Sequence, residues 1–135
     1  MVTNADITIY NRKLDPETRT YVWLRTIISS VWWHTEQKVQ ITDNGLQSAD
    51  IHKIRIPKKT FPDGYLPPEE YARIPLIWAE KHWTVENGDL FVKGIVTDGI
   101  TKESDLQNKG YQIGKVLSHS ENFFGRNPHI RIGGA

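Results

Sequence analysis

The chain has no cysteine among its 135 residues. That removes disulfides, thiolate metal sites and cysteine nucleophiles, and it fits a protein made in a reducing compartment. Nor is there an excess of charge: 17 basic residues stand against 16 acidic ones, for a net charge of +1. Bulk electrostatics therefore give no argument for a nucleic-acid binder, which usually carries a strong basic surplus. No apolar run approaches the eighteen or so residues of a membrane span. The first residues, MVTNADITIY, lack the basic-then-apolar layout of a signal peptide. These absences together read as a soluble, intracellular protein without a membrane partner.

Catalytic signatures are as scarce. The five histidines (His34, His52, His82, His119 and His129) are scattered. Only His119, Glu121 and His129 invite a metal or nuclease reading, and their spacing matches no ligand motif. Glu69-Glu70 and Glu103/Asp105 sit beside helix-start signals, where carboxylates stabilise the free N–H groups. Ser118 and Ser120 flank His119, but neighbours along a strand point to opposite faces and make no nucleophile–base pair. The Gly-Gly at residues 133–134 has no helix after it and forms no phosphate loop. The sequence thus predicts no catalytic residue, no cofactor and no metal.

What is present is alternation. Residues 6–10 (DITIY) read as a first short strand, broken at Asp15-Pro16. Residues 21–37 form the longest β-like run, with Val22, Leu24, Thr26 and Ile28 on one face and a bulge or bend expected at Ser29-Ser30. A helix there would stack β-branched and aromatic residues at most positions, which helices disfavour. Asn44-Gly45 marks a turn or loop over 42–50. Residues 51–57 then form a strand with His52, Ile54 and Ile56 on one face. Asn87-Gly88-Asp89 reads as a hairpin turn between the apolar runs of 83–96. Two more strands are expected at 111–120 and 129–135, and a short helix around 104–108 with Gly110 as its stop. The expected core includes Ile7, Ile9, Leu24, Ile28, Ile54, Ile56, Val92 and Val116. One or two of the five tryptophans are expected to face a partner.

The fold expected is a single domain over 1–135, mainly β. About seven antiparallel strands would make a barrel or sandwich with one or two short helices. The exception to the β rhythm is a long excursion at 57–75, which holds five of the seven prolines. Pro67-Pro68-Glu69-Glu70 can open a helical turn there, and Pro75 must end it. Loops of this length are uncommon in small domains unless they carry function. The excursion holds Phe61, Tyr65, Leu66 and Tyr71, too apolar for a linker. Lys58 and Lys59 lie at its base, following Lys53 and Arg55, a basic cluster suited to an acidic protein surface or to DNA. These residues, with Phe123, Phe124 and Arg126 of the later loop ENFFGRNP, are the candidate protein-interaction residues.

Several stretches carry a family resemblance: NADITIYNR, RTIISSVWWH, DIHKIRIP, WTVENGDLFVKGIV and VLSHSENFFGRNPHIRIGGA. The final one fits a terminal pattern through Val116, Asn122, Gly125, His129, Ile132 and Gly133. Over nearly its whole length the chain resembles the head-completion, or head–tail connector, proteins of long-tailed bacteriophages. The resemblance implies a non-enzymatic virion protein of the neck, assembled in the host cytoplasm. Its copies would form a ring between the portal–adaptor assembly and the tail-terminator or tail proteins, in transient contact with DNA in the channel. Placement elsewhere in the virion, as a capsid-decorating or tail-associated protein, is the alternative within the same class; a small metal-dependent nuclease is the alternative outside it.

Overall fold

The structure is a computed structural model that describes residues 2–42, 45–100, 102, 104–107 and 111–135. Asn44, Glu103, Asn108 and Gly110, named above for turns, a carboxylate pair and a helix stop, lie outside the described residues. Six strands make a closed antiparallel barrel: β1 (Ala5–Asp15), β2 (Thr20–Thr42), β3 (Gly45–Pro57), β4 (Leu90–Lys93), β5 (Ile113–Asn122) and β6 (His129–Gly134). They run in the order β1-β2-β3-β6-β5-β4, and β4 closes the barrel onto β1. Three short helices decorate it: α1 (Pro68–Arg73), α2 (Leu76–Ala79) and α3 (Ser104–Gln107).

The barrel has six strands rather than about seven, for two local reasons. Residues 83–85 form no strand; Trp83 makes only an isolated parallel bridge to Tyr65, so Asn87-Gly88 is a turn but not the tip of a hairpin. The run from 20 to 42 is one continuous strand, bent where Asp6 of β1 faces Ser29 and Ser30 together. Ser30 takes a left-handed φ of 63°, and its N–H donates to Asp6 Oδ1 at 2.9 Å. That is the bulge expected at Ser29-Ser30. β1 continues past residue 10 to Asp15, because Asn11 and Lys13 are buried with specific partners. Pro68 opens α1; Pro75 ends it and starts α2.

The interior is a hydrophobic core. Ile7, Ile9, Ile28, Val31, Ile54, Ile56, Val116, Ile130 and Ile132 are buried together with Trp33, Trp83 and Phe91. Leu24 is only half-buried, and Val92 is buried in a second layer. There Tyr10, Leu90 and Val92, on the outer face of β1 and β4, are covered by Val96, Ile100 and Leu106. The β1–β4 wall is therefore buried on both sides. Thr8 satisfies that wall's polar needs: its hydroxyl donates to the Gly94 carbonyl and accepts the N–H of Val96.

Phe91 sits at the seam. Its ring packs edge-on against Trp33 and His52, and it fills the space that glycines leave on the next strands. A Cβ at Gly134 would fall 2.5 Å from the Phe91 ring and 2.6 Å from the Lys115 carbonyl oxygen. The backbone oxygen cannot move aside cheaply. Gly134→Ala is expected to lose roughly 1–3 kcal/mol, the usual cost of overpacking. Urea denaturation measures it, and an unchanged midpoint would show that the seam has slack.

Candidate functional site

Most of the residues singled out in the sequence converge on one end of the barrel. Lys58–Thr60 form a single 3-10 turn after β3, and the Lys58 N–H donates to the Pro128 carbonyl at 2.9 Å. This ties the start of the excursion to the loop between β5 and β6. Phe61, Tyr65 and Phe123 form a ring cluster around Trp83, with centroid separations of 4.9–6.4 Å. The Lys58 ammonium lies 5.1 Å above the Phe123 ring. Lys59 and Arg126 line a small cleft with Pro57, Asn127 and Pro128. Phe124, beside Gly125 at a φ of 74°, is 88% exposed. This end of the barrel is a bare phenyl ring flanked by cations.

The excursion does not reach away from the domain. Phe61 and Tyr65 pack against the core and close the barrel end, and Leu66 is half-buried with its N–H donating to the Trp83 carbonyl. The Tyr65 hydroxyl donates to Glu121, and burial, reinforced by that bond, pushes the phenol well above its ordinary pKa. Tyr71 is buried elsewhere, where α1 meets β1. Lys13 Nζ donates to the Tyr71 carbonyl at 2.8 Å and lies 5.0 Å over the Tyr71 ring, so it caps the carbonyl end of α1. Burial lowers the Lys13 pKa. Phe61, Tyr65 and Tyr71 of the 57–75 loop thus pack within the domain itself, while Lys58, Lys59, Phe124 and Arg126 remain at the surface.

At the opposite end of β3 the segment expected to be a turn or loop, 42–50, is strand from Gly45 onward. The barrel's pairing of β3 with β6 stops at His52↔Gly134. Beyond it, β2 and β3 continue to pair with each other alone, from Glu36↔Ile51 to Thr42↔Gly45. At ~3.3 Å per residue this two-stranded arm is about 20 Å long. The available signal was the unbroken alternation through KVQIT and GLQS, weakened by its polar composition. β3 has 13 residues, so the arm tip and the cationic end lie about 40 Å apart along it. The one strongly exposed tryptophan is Trp78, next to exposed Ile77 on α2.

The histidines and acids that hinted at chemistry are held apart. His119 Nδ1 bonds Asn87 Oδ1, His129 Nδ1 faces the Asn127 carbonyl, and Glu121 takes the Tyr65 hydroxyl. Among the described residues no three His, Asp or Glu side chains gather as a metal-binding set. No helix among them is long and apolar enough to cross a membrane.

One strongly perturbed carboxyl is structural. Asp89, 2% exposed, accepts the N–H of Arg12 at 2.9 Å, the Asn11 amide at 2.8 Å and the N–H of Glu86 at 3.0 Å. Asn11 also bonds both backbone groups of Thr84. Burial nonetheless pushes the Asp89 pKa up to about 6, against the three donors. A pKa raised in the folded state means that folding takes up a proton. The stabilisation is full below the unfolded value near 4 and is lost as pH rises through 6. Asp89→Asn presents a donor where only acceptors fit and should cost roughly 2–3 kcal/mol at pH 7. The deficit relative to wild type should widen by up to about 3 kcal/mol as pH falls from about 7 to about 4. Urea midpoints across that range decide it; a deficit that narrows would mean that the hydrogen bonds outweigh burial.

A family profile described as a family of unknown function (DUF6751) matches residues 2–135. No curated protein matches the sequence.

Proposed function

The chain belongs to that family of unknown function, and we propose that it is a structural subunit of a tailed-phage neck. In this reading its copies form a ring between portal–adaptor and tail, close the filled head and dock the tail. The observation that carries the reading is the two-stranded arm beyond the barrel. A two-stranded hairpin is marginal in water by itself, and each of its outer edges is a template for another chain. A domain that needed only to be stable would have turned at the rim, near Thr35 and His52. The arm becomes economical where a neighbour covers it.

The second support is polarity. The arm and the Phe124 end lie at opposite ends of β3, so one subunit offers distinct contacts above and below. A ring needs such heterologous surfaces, which close by rotation. The sequence resemblance to head-completion proteins agrees with both.

Replacing residues 37–50 by a tight Asn-Gly turn tests the proposal. The barrel should fold with its thermal midpoint nearly unchanged, because the arm contributes nothing to the closed sheet. In the phage that encodes the protein, the deletion should give filled heads that leak DNA or fail to join tails. Infectious particles at normal yield from the armless protein would exclude the role. Electron microscopy with a labelled subunit separates a ring at one vertex from copies on the capsid or tail.

A further inference from the structure

The outer face of the barrel carries a grid that neither the fold nor the arm requires. Antiparallel register aligns Trp32 of β2, Arg55 of β3, Arg131 of β6 and Ser120 of β5 in one row across four strands. The next row holds His34, Lys53, Gly133 and Ser118. Every one of these residues is exposed or half-exposed. Glycine in the second row leaves a groove of about 430 Å³, lined by Lys53, Arg131, His119 and the two serines.

Two facts about this grid point to a ligand. Arg55 and Arg131 are directly opposed on paired strands, and like charges in that position destabilise a sheet. Among the described residues no carboxylate lies within ion-pair distance of either; Glu36 is the acid of this wall, and it bridges Lys53 at 3.0 Å. A sheet that carries such a repulsion in the free state gains from an anion laid between the guanidinium groups. The second fact is planar. The His34 ring stacks on Trp32 at 5.8 Å and 21°, and the Arg55 guanidinium sits 4.9 Å over the same indole. An acidic protein surface satisfies the arginines but makes no use of this cluster. A nucleic-acid strand uses both, with phosphates on the cations and serine hydroxyls and an unpaired base against the rings.

We infer that the β2–β3–β6–β5 wall binds single-stranded nucleic acid, with Arg55, Arg131 and Lys53 on successive phosphates and the Trp32–His34 pair as the stacking platform. The near-zero net charge does not oppose this, because the cations are concentrated locally and Lys58, Lys59 and Arg126 extend the same sign at the barrel end. The inference stands apart from the neck reading: it rests on this wall alone and holds or fails with the arm intact.

The test is fluorescence anisotropy of labelled oligo-deoxythymidine of about 15 nucleotides with the full chain. Binding should be micromolar at low salt and weaken with a log–log slope of about −2, as three phosphate contacts require for a single strand. Arg55→Gln and Arg131→Gln should each weaken it about tenfold, and His34→Ala, at an exposed ring, several-fold. Arg131→Gln should at the same time raise the thermal midpoint of the free protein, by relieving the opposed charges. Duplex DNA should bind more weakly than the single strand, and polyglutamate should compete poorly. No binding at about 100 μM protein, affinity indifferent to both arginines, duplex bound as tightly as single strand, or equal competition by polyglutamate would each overturn the inference; the last would assign the wall to an acidic protein instead.

Discussion

Closure of the barrel through β4 is the constraint on which the rest of the molecule depends. Four residues, Leu90–Lys93, join β1 to β5 and turn an open sheet into a cylinder. A strand so short cannot hold by ladder bonds alone, and it is fixed at both ends. Before it, the Asp89 carboxylate takes N–H groups from β1 and from its own turn. After it, the Gly94 carbonyl and the Val96 N–H share the Thr8 hydroxyl. Between these anchors Phe91 fills the interior and Leu90 and Val92 seal the outside. Full closure removes the edges that an open sheet exposes; free edges remain where two strands run on alone, β1 with β2 over residues 11–15 and 20–24 and β2 with β3 over the arm.

Much of this architecture is legible in the sequence because strands declare themselves by alternation. Ile7, Ile9, Ile54, Ile56 and Val116 follow period two into the interior, and Pro57 and Pro75 end their elements where their chemistry requires. The bulge at Ser29-Ser30 could be read from a polar pair interrupting an apolar run. What could not be read is any feature set by partners distant in sequence. Asn11 and Lys13 look like surface residues and therefore appear to end the first strand; their burial depends on Asp89, Thr84 and α1, more than fifty residues away. Val92 is buried, but toward an outer layer built from a loop with no periodic signal.

The same limit applies to the candidate surfaces. Composition identified the aromatic, basic character of Lys58, Phe61, Tyr65, Phe123 and Arg126, and the fold does bring them to one end. It could not divide them into core and contact, since Phe123 and Phe124 are adjacent and differ only in which side of the backbone meets Trp83 and Phe61. The arm was hidden by polar residues at alternate positions. The arginine grid was hidden more completely, because Trp32, Arg55 and Arg131 become neighbours only through the register of three strands. The arm, the Phe124 end and the arginine grid all lie on the outside of the closed barrel, and the proposed roles are contacts made there.

Native-state hydrogen exchange tests the central claim most directly, namely that a rigid closed barrel carries an arm built for a partner. In the isolated protein, amides of β1, β4 and the barrel part of β3 should exchange only through global unfolding. Those of 36–42 and 45–51 should exchange by local opening at far lower free energy, and become protected when the protein is in its assembly. Arm amides as protected as the barrel in the isolated chain would contradict the account, since the arm would then be stable without anything to cover it.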